Sequence, residues 1–227
     1  MKLSIRLIVS VFLFFLLSTS HFFAALYPDD IFKYAKEGRL EEVKNYLKNG
    51  LNPDIQNEKL CTALHFASKY GHHSIVCTLL DNGANPNIKN CFDETPLFLA
   101  SKRGYQNIVT SLLSSHANPN IGDSCNKTPL ILASKYGHES CVSTLLANGA
   151  NPDQHDSSIK TPLLHASENG HVDIVTILLQ YHADPEIQNT DGETLLEVAK
   201  KKGHVKIVKI LEAEKEERES LYFKKPK

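Results

Sequence analysis

The chain is poor in the residues that several classes of protein require. It has no tryptophan, one methionine and only 8% aromatic residues among 227, so it offers no evident platform for stacking nucleic-acid bases. Its formal net charge of −1 lacks the strong positive balance of a general nucleic-acid binder. Its five cysteines are odd in number and include no CxxC pair, which argues against a disulfide framework. A hydrophobic content of 41% and a charged content of 22% are ordinary for a globular protein.

The common catalytic motifs are also missing. The sequence has no GxSxG, no glycine-rich phosphate loop, no HExxH and no paired zinc CxxC. No other convergent set of polar residues suggests a reaction. We therefore expect a protein that is not an enzyme and that uses no cofactor and no metal.

What the sequence does contain is one stretch repeated at a step of 33 residues. The best-formed copy is Thr128 to Asp153, TPLILASKYGHESCVSTLLANGANPD. Three marks recur in phase: a threonine, a glycine and a leucine pair. The threonines are Thr62, Thr95, Thr128, Thr161 and Thr194, and the glycines are Gly38, Gly71, Gly104, Gly137, Gly170 and Gly203. Such periodicity indicates a stacked repeat architecture.

Each copy reads as two short helices. Thr128 is a capping residue, and Pro129 suits a first helical turn because that position needs no N–H partner. Gly137 suits a helix end because glycine adopts positive φ without steric cost. Val142, Leu145 and Leu146 form an apolar stripe at helical spacing, which predicts the second helix. Cys141 stands where the other copies have isoleucine, so it is predicted to be a small core residue, whereas Cys91 and Cys125 are predicted to be exposed.

The repeated helix starts resemble those of the ankyrin-repeat family. They read TALHFASKYGH, TPLFLASKRGY, TPLILASKYGH, TPLLHASENGH and TLLEVAKKKGH. The resemblance extends over roughly residues 27–212, and it implies an all-α solenoid of stacked helix-turn-helix units with short β-hairpin fingers. Six units are expected, with the first (from Pro28) and the last acting as degenerate end caps.

The fingers are the segments NPDIQNEKL, NPNIKNCFD, NPNIGDSCN, NPDQHDSSI and DPEIQNTDG. The family usually has glycine at the last of these positions, and only Gly192 keeps it. Leu60 and Ile159 tolerate positive φ poorly, so irregular fingers are expected there. His116 and His182 replace the glycine that closes the second helix, and histidine is an acceptable substitute at some cost in strain.

Four histidines follow the first-helix glycine at the same offset: His72, His138, His171 and His204. Packed helices lie about 8–10 Å apart, whereas zinc–nitrogen bonds are about 2.0–2.1 Å, so neighbouring histidines cannot share one ion. They are predicted to bond the backbone of the adjacent repeat.

Residues 1–26 differ from the rest of the chain. Lys2 and Arg6 precede the apolar run of residues 7–17, and small residues at 18–20 suit a signal peptidase. This layout favours a secretory signal peptide and a secreted or periplasmic protein. An uncleaved membrane anchor is the main alternative, since residues 21–26 extend the run to about the 20 residues of a span. A helix packed on the repeats is a third possibility.

After the predicted repeat domain of residues 27–212, residues 213–227 form a charged helix end and a short basic tail. The run EAEKEERES has no apolar stripe, so it is expected to be solvated.

The family resemblance also places a binding surface. It implies that the two residues before each first-helix glycine face a concave groove, and that fingers line the same surface. The predicted groove residues are Lys69, Tyr70, Phe92, Lys102, Arg103, Lys135, Tyr136, Glu168, Asn169, Lys201 and Lys202. Tyrosine and arginine are frequent interface hot spots, and a basic groove suits an acidic protein segment. A plain solvated helix surface is the competing interpretation.

The sequence thus predicts a non-enzymatic protein-interaction module, either an exported adaptor or effector or a membrane-anchored scaffold. We expect a monomer that binds another protein, binds no nucleic acid and meets a membrane only through its N-terminal segment.

Overall fold

The computed structural model describes residues 30–223, and for residues 221–223 it describes the backbone only. The predicted signal peptide or anchor of residues 1–26 lies outside this range, as does the end of the basic tail. Every regular element of the described part is an α-helix. In chain order the helices are α1 (Asp30–Glu37), α2 (Leu40–Lys48), α3 (Ala63–Tyr70), α4 (His73–Asp81), α5 (Pro96–Arg103), α6 (Gln106–Ser114), α7 (Pro129–Tyr136), α8 (Glu139–Ala147), α9 (Pro162–Glu168), α10 (Val172–Gln180), α11 (Leu195–Lys202) and α12 (Val205–Phe223).

Consecutive helices form six pairs, here called repeats 1 to 6, which confirms the predicted all-α repeat solenoid. The chain divides into two compact units, one ending at Asn85 and the other beginning at Pro86. In the first unit α1 packs on α3 and α2 on α4. In the second, the first helices α5, α7, α9 and α11 pack in a row, and the second helices α6, α8, α10 and α12 form a parallel row behind them.

The helix boundaries follow from the predicted capping chemistry. The hydroxyl of Thr128 accepts a hydrogen bond from the amide of Ile131, and the threonines at 62, 95, 161 and 194 do the same in their own repeats. At the other end, Gly137 is left-handed with φ 79°. Each first helix is therefore stopped after about two turns, which leaves room for the second helix to pack antiparallel to it.

The core consists of the aliphatic residues that recur with the 33-residue step. Leu130, Val142 and Leu145 are completely buried in repeat 4, and Cys141 is buried at 1% exposure where the neighbouring repeats have isoleucine. Burial raises the pKa of the Cys141 thiol to about 11, so that thiol is unreactive. Cys91 and Cys125 are exposed, as predicted. Each fully buried leucine contributes about 1.5–3 kcal/mol.

The fingers at Leu60 and Ile159 are regular, so the prediction that they would be irregular was wrong. Both residues adopt φ 56°, beside 60° at Asp93 and 57° at Asn126. The amide of Ile159 still donates to the carbonyl of Asp156 at 2.9 Å, as the amide of Gly192 does to Asn189 at 3.0 Å. The hydrogen bonds of the turn evidently outweigh the cost of about 1–2 kcal/mol that a left-handed residue with a Cβ incurs. His116 and His182 likewise take positive φ at the ends of their second helices.

A buried or half-buried Asn or Asp side chain organises each finger. In the finger before α7, Oδ1 of Asp123 accepts the amides of Cys125 at 2.9 Å and Lys127 at 2.8 Å. The equivalent residues in the other fingers, each bonded in the same way, are Asn57, Asn90, Asp156 and Asn189. These side chains substitute for a strand ladder, since residues 30–223 contain tight turns and no β-strand.

The last helix continues past the stack as one element to Phe223. Arg218 ties this extension to the segment that follows α10 by bonding the carbonyl of Ala183 at 3.4 Å, and within α12 it bonds Glu214 at 2.7 Å. Glu212 pairs with Lys200 at 2.9 Å. The charged C-terminal segment is thus a helical cap on the final repeat.

Candidate functional site

Each of the four histidines that follow a first-helix glycine hydrogen-bonds the first helix of the preceding repeat. Nε2 of His138 lies 3.3 Å from the carbonyl oxygen of Lys102, and Nε2 of His171 lies 3.1 Å from that of Lys135. His204 bonds Glu168 and, in the first unit, His72 bonds Lys36. Because a carbonyl only accepts, Nε2 must carry the proton in each case. This confirms the predicted backbone role of the four histidines.

A second set of ties joins the fingers. Oδ1 of Asn87 accepts the amide of Asn118 at 2.7 Å, Oδ1 of Asn120 accepts that of Asn151 at 2.8 Å, and Oδ1 of Asp153 accepts that of Asp184 at 2.8 Å. These acceptors are the third residues of the NPN and NPD segments. Together with the histidines they fix the spacing of successive repeats, and therefore the spacing of any side chains that the repeats present to a partner.

In the second unit the predicted groove residues occupy the last turns of the first helices. Lys102 and Arg103 are exposed at the end of α5, and Tyr136 at the end of α7 is 46% exposed. Nζ of Lys135 lies 5.7 Å from the centroid of the Tyr136 ring. Phe92 is exposed on the finger before α5. We call the surface formed by these helix ends and the adjoining finger residues the groove face.

The groove face changes character at repeat 5. Glu168 is half-buried, and both of its carboxylate oxygens accept from Nζ of Lys160, at 2.7 and 2.9 Å. The side-chain nitrogen Nδ2 of Asn169 donates to the backbone carbonyl of His165, so this side chain caps the C-terminal end of α9. In repeat 6, Lys201 pairs with Glu193 at 2.9 Å while Lys202 is exposed. Three of the predicted residues are therefore engaged within the protein itself.

The remaining predicted residues, Lys69 and Tyr70, belong to the first unit. Both are exposed at the end of α3. The ammonium groups of Lys36 and Lys69 each lie 5.8 Å from the centroid of the Tyr70 ring. This cation–π arrangement holds the ring at the surface between two positive charges.

Comparison with known proteins identifies the architecture. The family of ankyrin repeats in its three-copy form matches residues 31–123, 64–156, 112–189 and 130–219. The chain belongs to the ankyrin-repeat family. A crystal structure of an ankyrin repeat domain from Acinetobacter baumannii AYE is similar, with a TM-score of 0.78 and 28% sequence identity over 83% of this chain and 97% of that one. No curated protein sequence matches the chain.

Ankyrin repeats generally mediate protein–protein interactions, and the family is typically non-enzymatic. In this ankyrin protein no three histidine, cysteine, aspartate or glutamate side chains of residues 30–223 are grouped to hold a metal ion. Over the same residues, no helix combines the length and apolar character needed to cross a membrane.

Repeat 5 contains a buried histidine–aspartate hydrogen bond that the repeat pattern did not predict. His165 stands at the helix position that Leu99 and Leu132 occupy in the two preceding ankyrin repeats. Its Nε2 lies 2.9 Å from Oδ2 of Asp156, and the two side chains are only 7% and 4% exposed. The only signal in the sequence was a polar residue at an apolar repeat position beside an aspartate that organises a finger.

The pair is a neutral imidazole donating to an ionised carboxylate. Burial lowers the pKa of His165 below its ordinary value of 6.5 by more than the hydrogen bond and the charge of Asp156 raise it. Burial alone would raise the pKa of Asp156, but hydrogen bonds from His165 and from the amides of Lys160 and Ser158 outweigh it and lower that pKa. The pair is satisfied at neutral pH and fixes the finger to α9.

This arrangement predicts that His165 makes the protein less stable in mild acid. Because the pKa is lower in the folded state, the unfolded chain binds the proton first, and stability falls as the pH drops below about 6.5. The free energy of unfolding should be measured with denaturant for the wild type and for His165→Leu at pH 7 and pH 5. Between these two pH values the wild type should lose more stability than the variant, by at most about 1.4 kcal/mol per pH unit. A constant difference over this range would contradict the assignment.

Proposed function

We propose that this ankyrin protein captures another protein on the groove face of its second unit, with an acidic segment of that partner as the bound element. The observation that carries the proposal is the unneutralised charge of repeats 3 and 4. No carboxylate of residues 30–223 lies within 4.0 Å of the charged groups of Lys102, Arg103 or Lys135. Such cations attract an acidic surface and favour its approach.

Tyr136 supplies the apolar part of the proposed contact. Its ring is 46% exposed, so a partner can contact both its flat hydrophobic surface and its hydroxyl. The ammonium group of Lys135 lies beside the same ring. Tyrosine and arginine are enriched among residues that dominate interface energies. Tyr70 with Lys36 and Lys69 provides a similar group in the first unit, which we treat as a separate contact.

The proposed activity is binding of a protein without catalysis, by a monomer and without nucleic acid. Two observations support binding without catalysis. The family is typically an interaction module, and the groove face of the second unit offers charge and aromatic surface rather than a buried reactive group.

The location of the binding event is a separate proposal that rests on residues 1–26. Their basic start and apolar run favour export, with a membrane-anchored scaffold as the second candidate. N-terminal sequencing and fractionation of the protein expressed in its own cells decide between them. A start near His21 in a soluble or secreted fraction supports export, whereas an intact Met1 resistant to carbonate extraction supports an anchor.

The binding proposal predicts that Arg103→Ala combined with Tyr136→Ala weakens capture of the partner on the order of 100-fold. Two hot-spot residues typically cost more than 1 kcal/mol each, and 1.4 kcal/mol corresponds to a factor of ten. The measurement is quantitative affinity capture from extracts of the producing organism, followed by titration of the captured protein. Thermal unfolding should change little, because both side chains are exposed.

The matched control is Tyr181→Ala combined with Lys209→Ala, which removes an exposed tyrosine directly after α10 and an exposed lysine on α12. A partner lost by the groove variant and retained by this control supports the proposal. Equal retention by both variants would show that the groove face of the second unit is the wrong surface. Tyr70→Ala, tested alone, reports whether the first unit contributes.

A further inference from the structure

One pair of charged positions on the groove face recurs in repeats 3, 4, 5 and 6 with different charges. The first position is the residue before the capping threonine, and the second lies two residues before the glycine that ends the first helix. The pairs are Glu94 with Lys102, Lys127 with Lys135, Lys160 with Glu168, and Glu193 with Lys201. Repeats 3, 5 and 6 therefore carry opposite charges, with the order reversed in repeat 5, whereas repeat 4 carries two positive charges.

In repeats 5 and 6 the two positions are bonded to each other. Nζ of Lys160 lies 2.7 Å from a carboxylate oxygen of Glu168, and Nζ of Lys201 lies 2.9 Å from Oε1 of Glu193. In these two repeats the ion pair forms whichever position carries the lysine, so the separation can accommodate one lysine and one glutamate side chain. In repeat 3, Oε2 of Glu94 accepts from Nδ2 of Asn90 at 3.0 Å, and the ammonium group of Lys102 lies beyond 4.0 Å of any carboxylate of residues 30–220.

The backbone holds the pair of repeat 4 in the same way. The amide of Lys127 donates to Oδ1 of Asp123 at 2.8 Å, just as those of Lys160 and Glu193 donate to Oδ1 of Asp156 and Asn189, at 3.1 and 2.9 Å. Left-handed glycines follow each second position at the same offset, with φ of 79°, 75° and 73°. Lys127 and Lys135 thus occupy the two backbone positions that an ion pair joins in the next two repeats.

Repeat 4 lacks the negative half of that pair. Both lysines are half-buried, and no carboxylate of residues 30–223 lies within 4.0 Å of either ammonium group. Both carboxylate oxygens of Glu168 in the adjacent repeat are bonded to Lys160. Two neighbouring lysines without a counter-ion repel each other, and that repulsion is relieved by one anion placed between them.

We infer that Lys127 and Lys135 form the binding site for one carboxylate of the partner, an aspartate or glutamate side chain in an acidic segment. The partner would supply the carboxylate that Glu168 and Glu193 of this chain supply in repeats 5 and 6. This inference rests on the proposed function, which it sharpens from a generally basic surface to one position with one ligand. Because the sister pairs accommodate a glutamate carboxylate at 2.7–2.9 Å, the site fits that group.

The test uses substitutions that the chain itself contains in other repeats. Lys127→Glu gives repeat 4 the glutamate-then-lysine order of Glu193 and Lys201, so it should fold and satisfy Lys135 internally. Glu193→Lys does the reverse and creates a second pair of facing lysines in repeat 6. Lys209→Glu, on the exposed surface of α12, makes the same change in net charge without touching either pair.

The probe is a fluorescein-labelled hexaglutamate peptide, with hexaglutamine as the uncharged comparison, followed by fluorescence anisotropy with the full chain at low salt. We expect Lys127→Glu to weaken hexaglutamate binding about tenfold, against no more than about twofold for Lys209→Glu. Adding Glu193→Lys to the Lys127→Glu protein should restore most of the lost affinity, since it creates an equivalent pair of lysines two repeats away, in repeat 6.

The inference is overturned if wild type does not bind hexaglutamate more tightly than hexaglutamine. It is also overturned if Lys127→Glu and Lys209→Glu weaken binding equally, because the effect would then be one of net charge. The proposed function has its own readout, since partner capture by Arg103→Ala with Tyr136→Ala is measured without this peptide. Loss of capture there with intact capture by Lys127→Glu would reject the carboxylate site and leave the groove face as the binding surface.

Discussion

Replacing Asp156 with alanine should lower the free energy of unfolding by about 2–5 kcal/mol, because it removes the acceptor of a buried imidazole, at about 1–3 kcal/mol, and the side chain that organises the finger, at about 1–2 kcal/mol. Asp156 is 3% exposed, and its two oxygens serve three donors. Oδ1 accepts the amides of Ser158 and Lys160, and Oδ2 accepts Nε2 of His165. Without the carboxylate, the finger loses the side chain that organises it and a buried imidazole loses its acceptor.

Asp123→Ala is the matched control for this prediction. Asp123 occupies the same finger position in repeat 4 and accepts two amides, but it is only half-buried and Leu132 stands where repeat 5 has His165. Its loss should cost about 1–2 kcal/mol, as for a capping side chain. Chemical denaturation of both variants at pH 7 measures the comparison. Equal losses would show that His165 depends little on Asp156.

We expect Gly104→Ala to cost about 2–4 kcal/mol of stability. Gly104 has φ 74°, a conformation that costs an alanine about 1–2 kcal/mol. A Cβ at this position would also lie 2.5 Å from Nδ1 of His138 and 2.8 Å from its Cε1. The imidazole must move away, which gives up its bond to the carbonyl of Lys102 and adds about 0.5–1.5 kcal/mol or more.

Gly149→Ala separates the two causes. Gly149 has φ 83°, but a Cβ there meets nothing within 4 Å, so only the backbone strain of about 1–2 kcal/mol should appear. In the Gly104→Ala background, His138→Ala should recover part of the loss because the added methyl group then has space. If Gly104→Ala and Gly149→Ala lowered the free energy of unfolding equally, the close packing of His138 on Gly104 would not contribute to stability.

The fingers show where reasoning from single residues fails. Leu60 and Ile159 are poor choices for positive φ, and on propensity alone their turns should deform. The structure keeps both turns because Asn57 and Asp156 each accept two backbone amides in the same finger. An asparagine or aspartate at residues 57, 90, 123, 156 and 189 was visible in the sequence as a further 33-residue repeat. Its importance depends on hydrogen bonds that become visible only when the loop is folded.

The groove face shows the same limit for charge. The sequence places lysine or glutamate at known repeat positions, but it does not say which of them neutralise each other. Lys160 and Glu168 are eight residues apart and pair, as do Glu193 and Lys201, whereas Lys127 and Lys135 have the same spacing and the same charge. Only the positions of the loop end and the helix end in space convert this spacing into a contact.

The repeat period, the helix pairs, their threonine and glycine ends and the aliphatic core could all be predicted from the sequence, because each depends on neighbours within one repeat or on a pattern that recurs every 33 residues. The backbone role of His72, His138, His171 and His204 could also be predicted, since metal geometry excluded the alternative. Three features could not be predicted: the His165–Asp156 pair, the retention of positive φ at Leu60 and Ile159, and which groove charges remain unneutralised. Those features depend on distances between side chains of different elements, and such distances are fixed only when the helices and fingers pack.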